Sequence, residues 1–250
     1  MRFLLYLVVI DKKRLIVSCV KMRFGLRKLT LLDYPGKIAC TVFTCGCNFR
    51  CPFCHNPSLV TGSEADLEYS FGEVLEFLEN RTSQLEGVCV TGGEPLLHKE
   101  SVLFIEAAKA LGYKVKLDTN GTFPERLQEL LTGNMVDFVA MDIKNSPEKY
   151  AVTSGVKCWQ SVEKSVELLK NSTIDHEFRT TVTGNLHTVS DFTAIGRWLK
   201  GTERYFLQGF KDSGEILGGE SEKFAVSNEQ LSEFLAEVRK FIPAAQIRGS

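Results

Sequence analysis

From residue 37 onward, strand-like and helix-like segments alternate along the chain, and this alternation limits the folds open to it. The strand-like runs are short, apolar and rich in β-branched residues, and amphipathic helical patterns separate them. They cover residues 37–45, 87–93, 113–121, 137–144, 176–184 and 204–210. The pattern predicts a parallel sheet with right-handed crossovers. Six units are too few for a closed eight-stranded barrel, so periodicity leaves an open, partial barrel or a doubly wound sheet.

Polar and glycine-rich residues follow four of these strands directly. The segments are TCGCNF after the first strand, TGGEP after the second, DTNG after the third and DIK after the fourth. In parallel α/β folds, ligands bind at the carboxyl ends of the strands. The sequence therefore predicts one site at that edge of the sheet, in a single catalytic domain over residues 22–250.

Residues 1–21 are predicted to lie outside this domain. Their net charge is +4, against −5 for the rest of the chain. The apolar run FLLYLVVI (3–10) is too short to span a bilayer, and no signal-peptide cleavage site follows it. Two interpretations stay open: an additional strand, or an upstream extension with Met22 as the true start.

Composition excludes several classes of protein. Thirty Lys and Arg balance 31 Asp and Glu, so we expect no sequence-independent grip on nucleic-acid phosphates. Eight cysteines in 250 residues are too sparse for a disulfide scaffold. Without a candidate membrane span, the expectation is a soluble, cytoplasmic protein.

Three cysteines, Cys47, Cys51 and Cys54, crowd into the loop after the first strand. A structural zinc site would need a fourth ligand, for which Cys45 or His55 is available, but no second pair of ligands follows. Three thiolates without an evident fourth suit a four-iron cluster with one iron left open for a substrate.

Cys45 either competes for iron or is a small residue beside the cluster. Cys40 and Cys89 are expected to be buried small hydrophobes, and His98, His176 and His187 to lie on the surface.

Two motifs in this arrangement resemble those of a known family. CNFRCPFC, with Phe53 before the third cysteine, resembles the CxxxCxΦC motif of radical S-adenosylmethionine (SAM) enzymes, and Thr91–Pro95 resembles their GGEP motif. The string LLDYPGKIACTVFTCGCNFRCPFCHNPSLV resembles the glycyl-radical-enzyme activases, in particular those that activate anaerobic ribonucleoside-triphosphate reductase. The resemblance covers roughly residues 22–245.

The resemblance implies a partial (β/α)6 TIM-like barrel, an enzyme and its cofactors. Cys47, Cys51 and Cys54 would hold a [4Fe–4S] cluster whose open iron binds SAM, and reductive cleavage of SAM would yield a radical that abstracts a hydrogen atom. Phe53 would pack against the adenine, and the backbone through His55 would read its edge. The segment formed by Gly92, Gly93 and Glu94 would meet the methionine amino group.

Two further motifs, Asp118-Thr119-Asn120 and Met141-Asp142-Ile143-Lys144, resemble paired motifs of the pyruvate formate-lyase activases. They imply that Asp118, Asp142 and Lys144 lie near the methionine end of SAM, beside a monovalent cation held near Asp118 and Asp142. Arg179, on the fifth strand, would pair with the methionine carboxylate. The alternative is structural, since DTNG is also a good turn and Asp142 with Lys144 could be a solvated strand end.

The implied partner is a glycyl radical enzyme, most specifically anaerobic ribonucleotide reductase. A reducing electron donor such as flavodoxin or ferredoxin would supply the cluster. Three alternatives stay open: a pyruvate formate-lyase-type activase, a small-molecule enzyme similar to carboxy-deazaguanine synthase, and an electron-transfer or zinc-binding module.

Overall fold

A computed structural model describes residues 9–11, 14–16, 20–62, 67–212, 214 and 216–249. Near the start, strand β1 (Val9–Asp11) pairs antiparallel with β2 (Arg14–Ile16) in a sheet of its own. The rest of the predicted extension before residue 20 lies outside the described residues. Whether residues 1–21 stand apart from the domain therefore stays a prediction.

In the described part of the chain, nine further strands form one continuous sheet. They are β3 (Arg23–Thr30), β4 (Ala39–Thr44), β5 (Tyr69–Ser70), β6 (Gly87–Gly92), β7 (Lys114–Thr119), β8 (Phe138–Asp142), β9 (Asp175–Val182), β10 (Tyr205–Gly209) and β11 (Gln246–Ile247). Their order across the sheet is β11-β10-β9-β8-β7-β6-β4-β3-β5. The sheet therefore has an edge strand on each side, β5 and β11, and is open.

The six predicted strands are all present, as β4 and β6 to β10, and each runs parallel to its neighbour. They follow one another across the sheet in chain order, whereas a doubly wound sheet reverses direction at a switch point. This order confirms the partial barrel. Strand β3, which pairs antiparallel with β4, was not predicted.

Helices follow the parallel strands and cover the outer face of the sheet. They are α1 (Pro57–Thr61), α2 (Phe71–Glu79), α3 (Lys99–Ala110), α4 (Pro124–Thr132), α5 (Tyr150–Ser154), α6 (Trp159–Lys170), α7 (Val189–Trp198) and α8 (Asn228–Arg239). The predicted capping box begins α2: Ser70 Oγ accepts from Glu73 N, and the Glu73 carboxylate accepts from Ser70 N at 2.7 Å. In the described part of the chain, no helix is both long and apolar enough to cross a bilayer.

Alternation along the strands divides the buried residues between two faces. On β7, Val115 and Leu117 belong to the main hydrophobic core, which includes buried side chains of the helices such as Phe104. Between them, Lys116 is 2% exposed, although it is a lysine. Adjacent residues of a strand point to opposite faces, so Lys116 and Asp118 share the face that lines the inside of the barrel.

Candidate active site

The loop after β4 carries the three predicted cysteine ligands and is held from two sides. Gly46, at φ +87°, donates its N–H to the Leu59 carbonyl oxygen at 2.7 Å. Arg50 N donates to the carbonyl oxygen of Ser154, at the end of α5, at 2.8 Å. These bonds fix the start and middle of the loop, so the cysteines that follow have defined positions.

The glycines of the TGGEP motif bring the end of β6 against this loop. Gly92 adopts φ +121°, and a β-carbon there would lie 2.3 Å from the Thr44 carbonyl oxygen. Gly93 N donates to that oxygen at 2.9 Å, and Glu94 N donates to the Gly46 carbonyl oxygen at 2.8 Å. Glycine is thus required by close contact between two backbones, independently of any ligand.

Glu94 was predicted to contact the cofactor, and its side chain performs a structural task. The carboxylate is fully buried and accepts from Leu96 N at 3.0 Å, Thr119 Oγ1 at 2.8 Å and Asn120 N at 2.6 Å. Burial raises the pKa of Glu94 to about 7 despite these bonds. The side chain thereby ties the end of β6 to the end of β7.

Asn120 connects the DTNG turn to the cysteine loop. Its amide donates to Asn48 Oδ1 at 2.9 Å, and the Asn48 amide donates to Thr122 Oγ1 at 2.8 Å. Asn120 Nδ2 also lies 3.9 Å from Cys47 Sγ. The DTNG motif contains Asn120, but a role was predicted only for Asp118 in that motif.

Charged side chains from three strands form one network beside the cysteines. Arg179 Nε donates to Asp142 Oδ1 at 2.7 Å, and Lys144 Nζ donates to Asp142 Oδ2 at 2.9 Å. Burial alone would raise the pKa of Asp142, but the charges of Arg179 and Lys144 outweigh it and hold that pKa well below its usual range. Asp142 therefore stays ionised at neutral pH.

One cavity of about 170 Å³ brings these features together at the carboxyl ends of the strands. Eleven of the twelve predicted site residues line it: Cys47, Cys51, Phe53, Cys54, His55, Gly92, Gly93, Asp118, Asp142, Lys144 and Arg179. Glu94 is the twelfth and lies outside the lining. Residues that were not predicted also contribute, among them Phe49, Asn56, Val60, Thr91, Thr119, Asn120 and Thr181.

The last part of the chain covers the cysteine loop. Residues 216–224 are here called the cover segment. In it, Leu217 N donates to the Cys54 carbonyl oxygen at 3.3 Å, and Gly218 N donates to the Pro52 carbonyl oxygen at 2.7 Å. Within this segment, the Phe224 ring lies 6.2 Å from that of Phe53. The cover segment therefore shields the loop from solvent.

The donors in the cavity fit an iron–sulfur cluster and a nucleoside-bearing ligand. Burial raises the pKa of the Cys47 thiol, and raises that of Cys51 to about 12 against the opposing charge of Lys144, so metal binding would have to displace protons there. No group of three His, Cys, Asp or Glu side chains in the described residues suits a single metal ion.

His55 stacks on Phe210, with the ring centroids 4.8 Å apart, and its buried Nε2 has no protein partner among the described residues. That ring nitrogen suits a polar ligand atom.

Other predictions about single residues had mixed outcomes. Cys40 and Cys89 are fully buried, as predicted. Cys45 is buried outside the cavity lining, with Sγ 3.2 Å from the Gly62 carbonyl oxygen. The prediction of a surface position is wrong for His187, which is 3% exposed: Nδ1 accepts from Thr183 N at 3.1 Å, and Nε2 donates to the Lys144 carbonyl oxygen at 3.0 Å.

The chain is similar to known proteins over most of its length. Residues 41–199 match the radical SAM superfamily. A protein of Methanocaldococcus jannaschii, provisionally named a glycyl-radical enzyme activating enzyme, is 32% identical over 235 residues, covering 90% of this chain and 94% of that protein. The pyruvate formate-lyase-activating enzyme of Listeria monocytogenes is 36% identical over 131 residues, covering 48% of this chain and 52% of that enzyme.

A solved structure agrees on the fold. SuiB of Streptococcus suis, bound to SAM, superimposes with a TM-score of 0.66 at 12% identity. The match covers 82% of this chain and 49% of SuiB, so the chain corresponds to about half of that protein. At this identity the similarity concerns the fold alone.

Proposed function

The chain belongs to the radical SAM superfamily and is an enzyme of its glycyl-radical-activating class, and we propose that it installs a glycyl radical on anaerobic ribonucleoside-triphosphate reductase. Its cofactors are a [4Fe–4S] cluster and SAM. The cavity carries the proposal, because it joins the three cysteines, the paired glycines and the charged network in one place. The choice of the reductase depends on the string at residues 31–60.

Within this proposal, Cys47, Cys51 and Cys54 would hold the cluster, and the cluster would supply the electron for cleavage of SAM. The chain's own groups bind and orient the cofactor. Lys144 and Arg179 provide positive charge for the methionine carboxylate, and the backbone at Gly92 and Gly93 offers the polar edge for the amino group. Phe53 and His55 provide the apolar wall and the polar atom for the adenine.

Two features support a protein substrate and a reduced compartment. The open sheet, with β5 and β11 at its edges, gives an extended loop lateral access to the carboxyl ends of the strands. No disulfide joins any two of the cysteines in the described part of the chain, and the proposed compartment is the cytoplasm, where reductants keep thiols reduced. We propose that flavodoxin or ferredoxin supplies the electron there.

Electron paramagnetic resonance on an anaerobic mixture tests the proposal. With reductant, SAM and the reductase, a glycyl doublet should appear on the reductase. It should be absent when the target glycine of the reductase is replaced by alanine, and absent with the Cys51→Ala variant of this chain. Appearance of the doublet on pyruvate formate-lyase instead would change the partner and keep the activity. Turnover driven by a small molecule, with no protein radical, would replace the proposal with a carboxy-deazaguanine synthase-like function.

A further inference from the structure

Every carboxylate oxygen of Asp118 and Asp142 already has a cationic side chain as its partner. Asp118 Oδ1 contacts Lys116 Nζ, and Asp118 Oδ2 lies 3.3 Å from Arg179 Nη2. Asp142 Oδ1 accepts from Arg179 Nε, and Asp142 Oδ2 accepts from Lys144 Nζ. The guanidinium of Arg179 thus bridges the two carboxylates that were predicted to hold a monovalent cation.

Lys116 reaches Asp118 from inside the barrel. The lysine side chain is 3% exposed, and its Nζ also lies 3.8 Å from Cys89 Sγ on the neighbouring strand. An ammonium removed from water is costly unless it is paired, so Lys116 depends on the Asp118 carboxylate. Because the two residues alternate on one strand, the contact is built into β7 itself.

The charge of this network is already positive. Three cations, Lys116, Lys144 and Arg179, face two carboxylates, which leaves a net charge of +1. A K⁺ or Na⁺ ion needs several oxygen ligands, and here it would have to displace side-chain cations from those oxygens. Its entry would also raise the local charge further. The residues present therefore do not fit an added cation, whereas an anionic carboxylate of SAM suits the surplus charge.

We infer that Lys116 and Arg179 act as built-in cations at Asp118 and Asp142, so that this chain binds SAM without a monovalent cation. Lys116 is therefore a positioning residue. It neutralises the Asp118 carboxylate from inside the barrel, and Arg179 consequently keeps surplus positive charge that faces the cavity. The inference depends on SAM as cofactor and not on the identity of the protein partner.

The dissociation constant of SAM tests this inference, measured on cluster-loaded protein with radiolabelled SAM. Salts of K⁺, Na⁺ and choline are compared at matched ionic strength. Wild type should bind SAM equally in all three, within about twofold. Lys116→Ala removes the cation beside Asp118 and leaves room for K⁺. This variant should therefore bind SAM at least about tenfold more weakly in choline salt than wild type does, and its affinity for SAM should recover in K⁺ salt. A tenfold coupling between the binding of K⁺ and of SAM is within the usual range.

Lys114→Ala is the matched control, because Lys114 lies on the same strand but pairs with Asp137 at the exposed end. It should behave as wild type. A second readout uses protein without cluster: K⁺ should raise the melting temperature of Lys116→Ala and leave that of wild type unchanged.

Three results would overturn the inference. The first is a wild-type dissociation constant that falls about tenfold on adding K⁺. The second is a Lys116→Ala protein that binds as wild type in choline. The third is one whose weakened binding K⁺ does not restore, which would make Lys116 a structural residue only. If Lys116→Ala fails to fold, the wild-type salt series decides alone. Since SAM binding requires no reductase, failure of the proposed partner would leave these results unchanged.

Discussion

Gly93 lies so close to Gly46 that a β-carbon on Gly93 would come within 2.0 Å of the Gly46 carbonyl oxygen. The two glycines belong to different motifs, one after β6 and the other directly before the first cluster cysteine. Their contact makes the position of the cysteine loop depend on the TGGEP turn. A residue conventionally associated with cofactor binding is therefore also required for assembly of the cluster site.

Gly93→Ala should lower the free energy of unfolding by more than about 3 kcal/mol and reduce cluster content, because backbone on both sides prevents relief of the overlap. Urea unfolding and iron analysis after anaerobic reconstitution measure the two effects. Gly72→Ala is the control, since nothing lies within 4 Å of a β-carbon there and alanine favours helix α2. Equal stability of the two variants would contradict the contact.

Cys51→Ala should lose the four-iron cluster and SAM cleavage, and so should Cys47→Ala and Cys54→Ala, because each thiolate is assigned a separate iron. Iron content and the visible absorption of anaerobic protein report the loss. Cys45→Ala and Cys158→Ala should keep their clusters. A Cys45→Ala protein without a cluster would show that the ligand assignment is wrong.

Glu94→Gln should destabilise the protein by about 1–3 kcal/mol. Both carboxylate oxygens of Glu94 accept hydrogen bonds, and the substitution replaces one of them with an amide group that donates. The amide N–H would then face another donor, and the hydrogen bond at that position would be lost. Chemical unfolding at pH 8 measures the change. Glu125→Gln, on the exposed start of α4, should leave stability unchanged. A neutral result for Glu94→Gln would mean that the three hydrogen bonds contribute little.

The pH dependence of stability should carry a contribution from His187. Burial lowers its pKa below the ordinary 6.5, against the hydrogen bonds to Lys144 and Thr183. Between the lowered pKa of the folded chain and pH 6.5, His187 is therefore protonated in the unfolded chain and neutral in the folded chain. Stability from this group is complete above pH 6.5 and is lost as the pH falls towards the folded-state pKa, by up to about 1.4 kcal/mol per pH unit.

His187→Gln removes this titration, so its stability curve should fall less steeply between pH 6.5 and pH 5 than that of wild type. Urea unfolding of cluster-free protein across that range measures both slopes, and the difference at pH 8 gives the cost of the substitution itself. Parallel curves would mean that folding does not lower the pKa of His187.

Deletion of residues 1–21 should leave cluster content and SAM binding unchanged. The new first residue, Met22, is buried, and its carbonyl oxygen accepts from Phe71 N at 3.0 Å, a contact that the deletion retains. Iron analysis and SAM binding on the truncated protein measure the outcome. An insoluble or cluster-free product would make the first 21 residues part of the domain.

The sequence predicted the parallel strands well because their signal is strong: runs such as VCV on β6 are apolar on both faces. Strand β3 was missed because RFGLRKLT contains three basic residues and a glycine, and its residues 27–29 are exposed to solvent. Its role as an added antiparallel strand depends on pairing with β4, which no local pattern reveals.

The candidate site was predictable where motifs lie at strand ends, because the carboxyl ends of parallel strands converge. Two residues show where this reasoning stops. Lys116 reads locally as a solvent-facing lysine, and only the curvature of the sheet encloses it. His187 is remote from every motif, and its role follows from a turn that brings Thr183 and the carbonyl oxygen of Lys144 to its two ring nitrogens.

The cover segment has a consequence for synthesis of the protein. Leu217 and Gly218 bond to the backbone at Cys54 and Pro52, roughly 160 residues earlier in the chain. At ribosomal rates of about 5–20 residues per second, the cysteine loop emerges roughly 8–30 s before the segment that closes over it. We therefore expect cluster insertion to be easiest on the nascent or newly released chain, and air exposure to be most damaging in that interval.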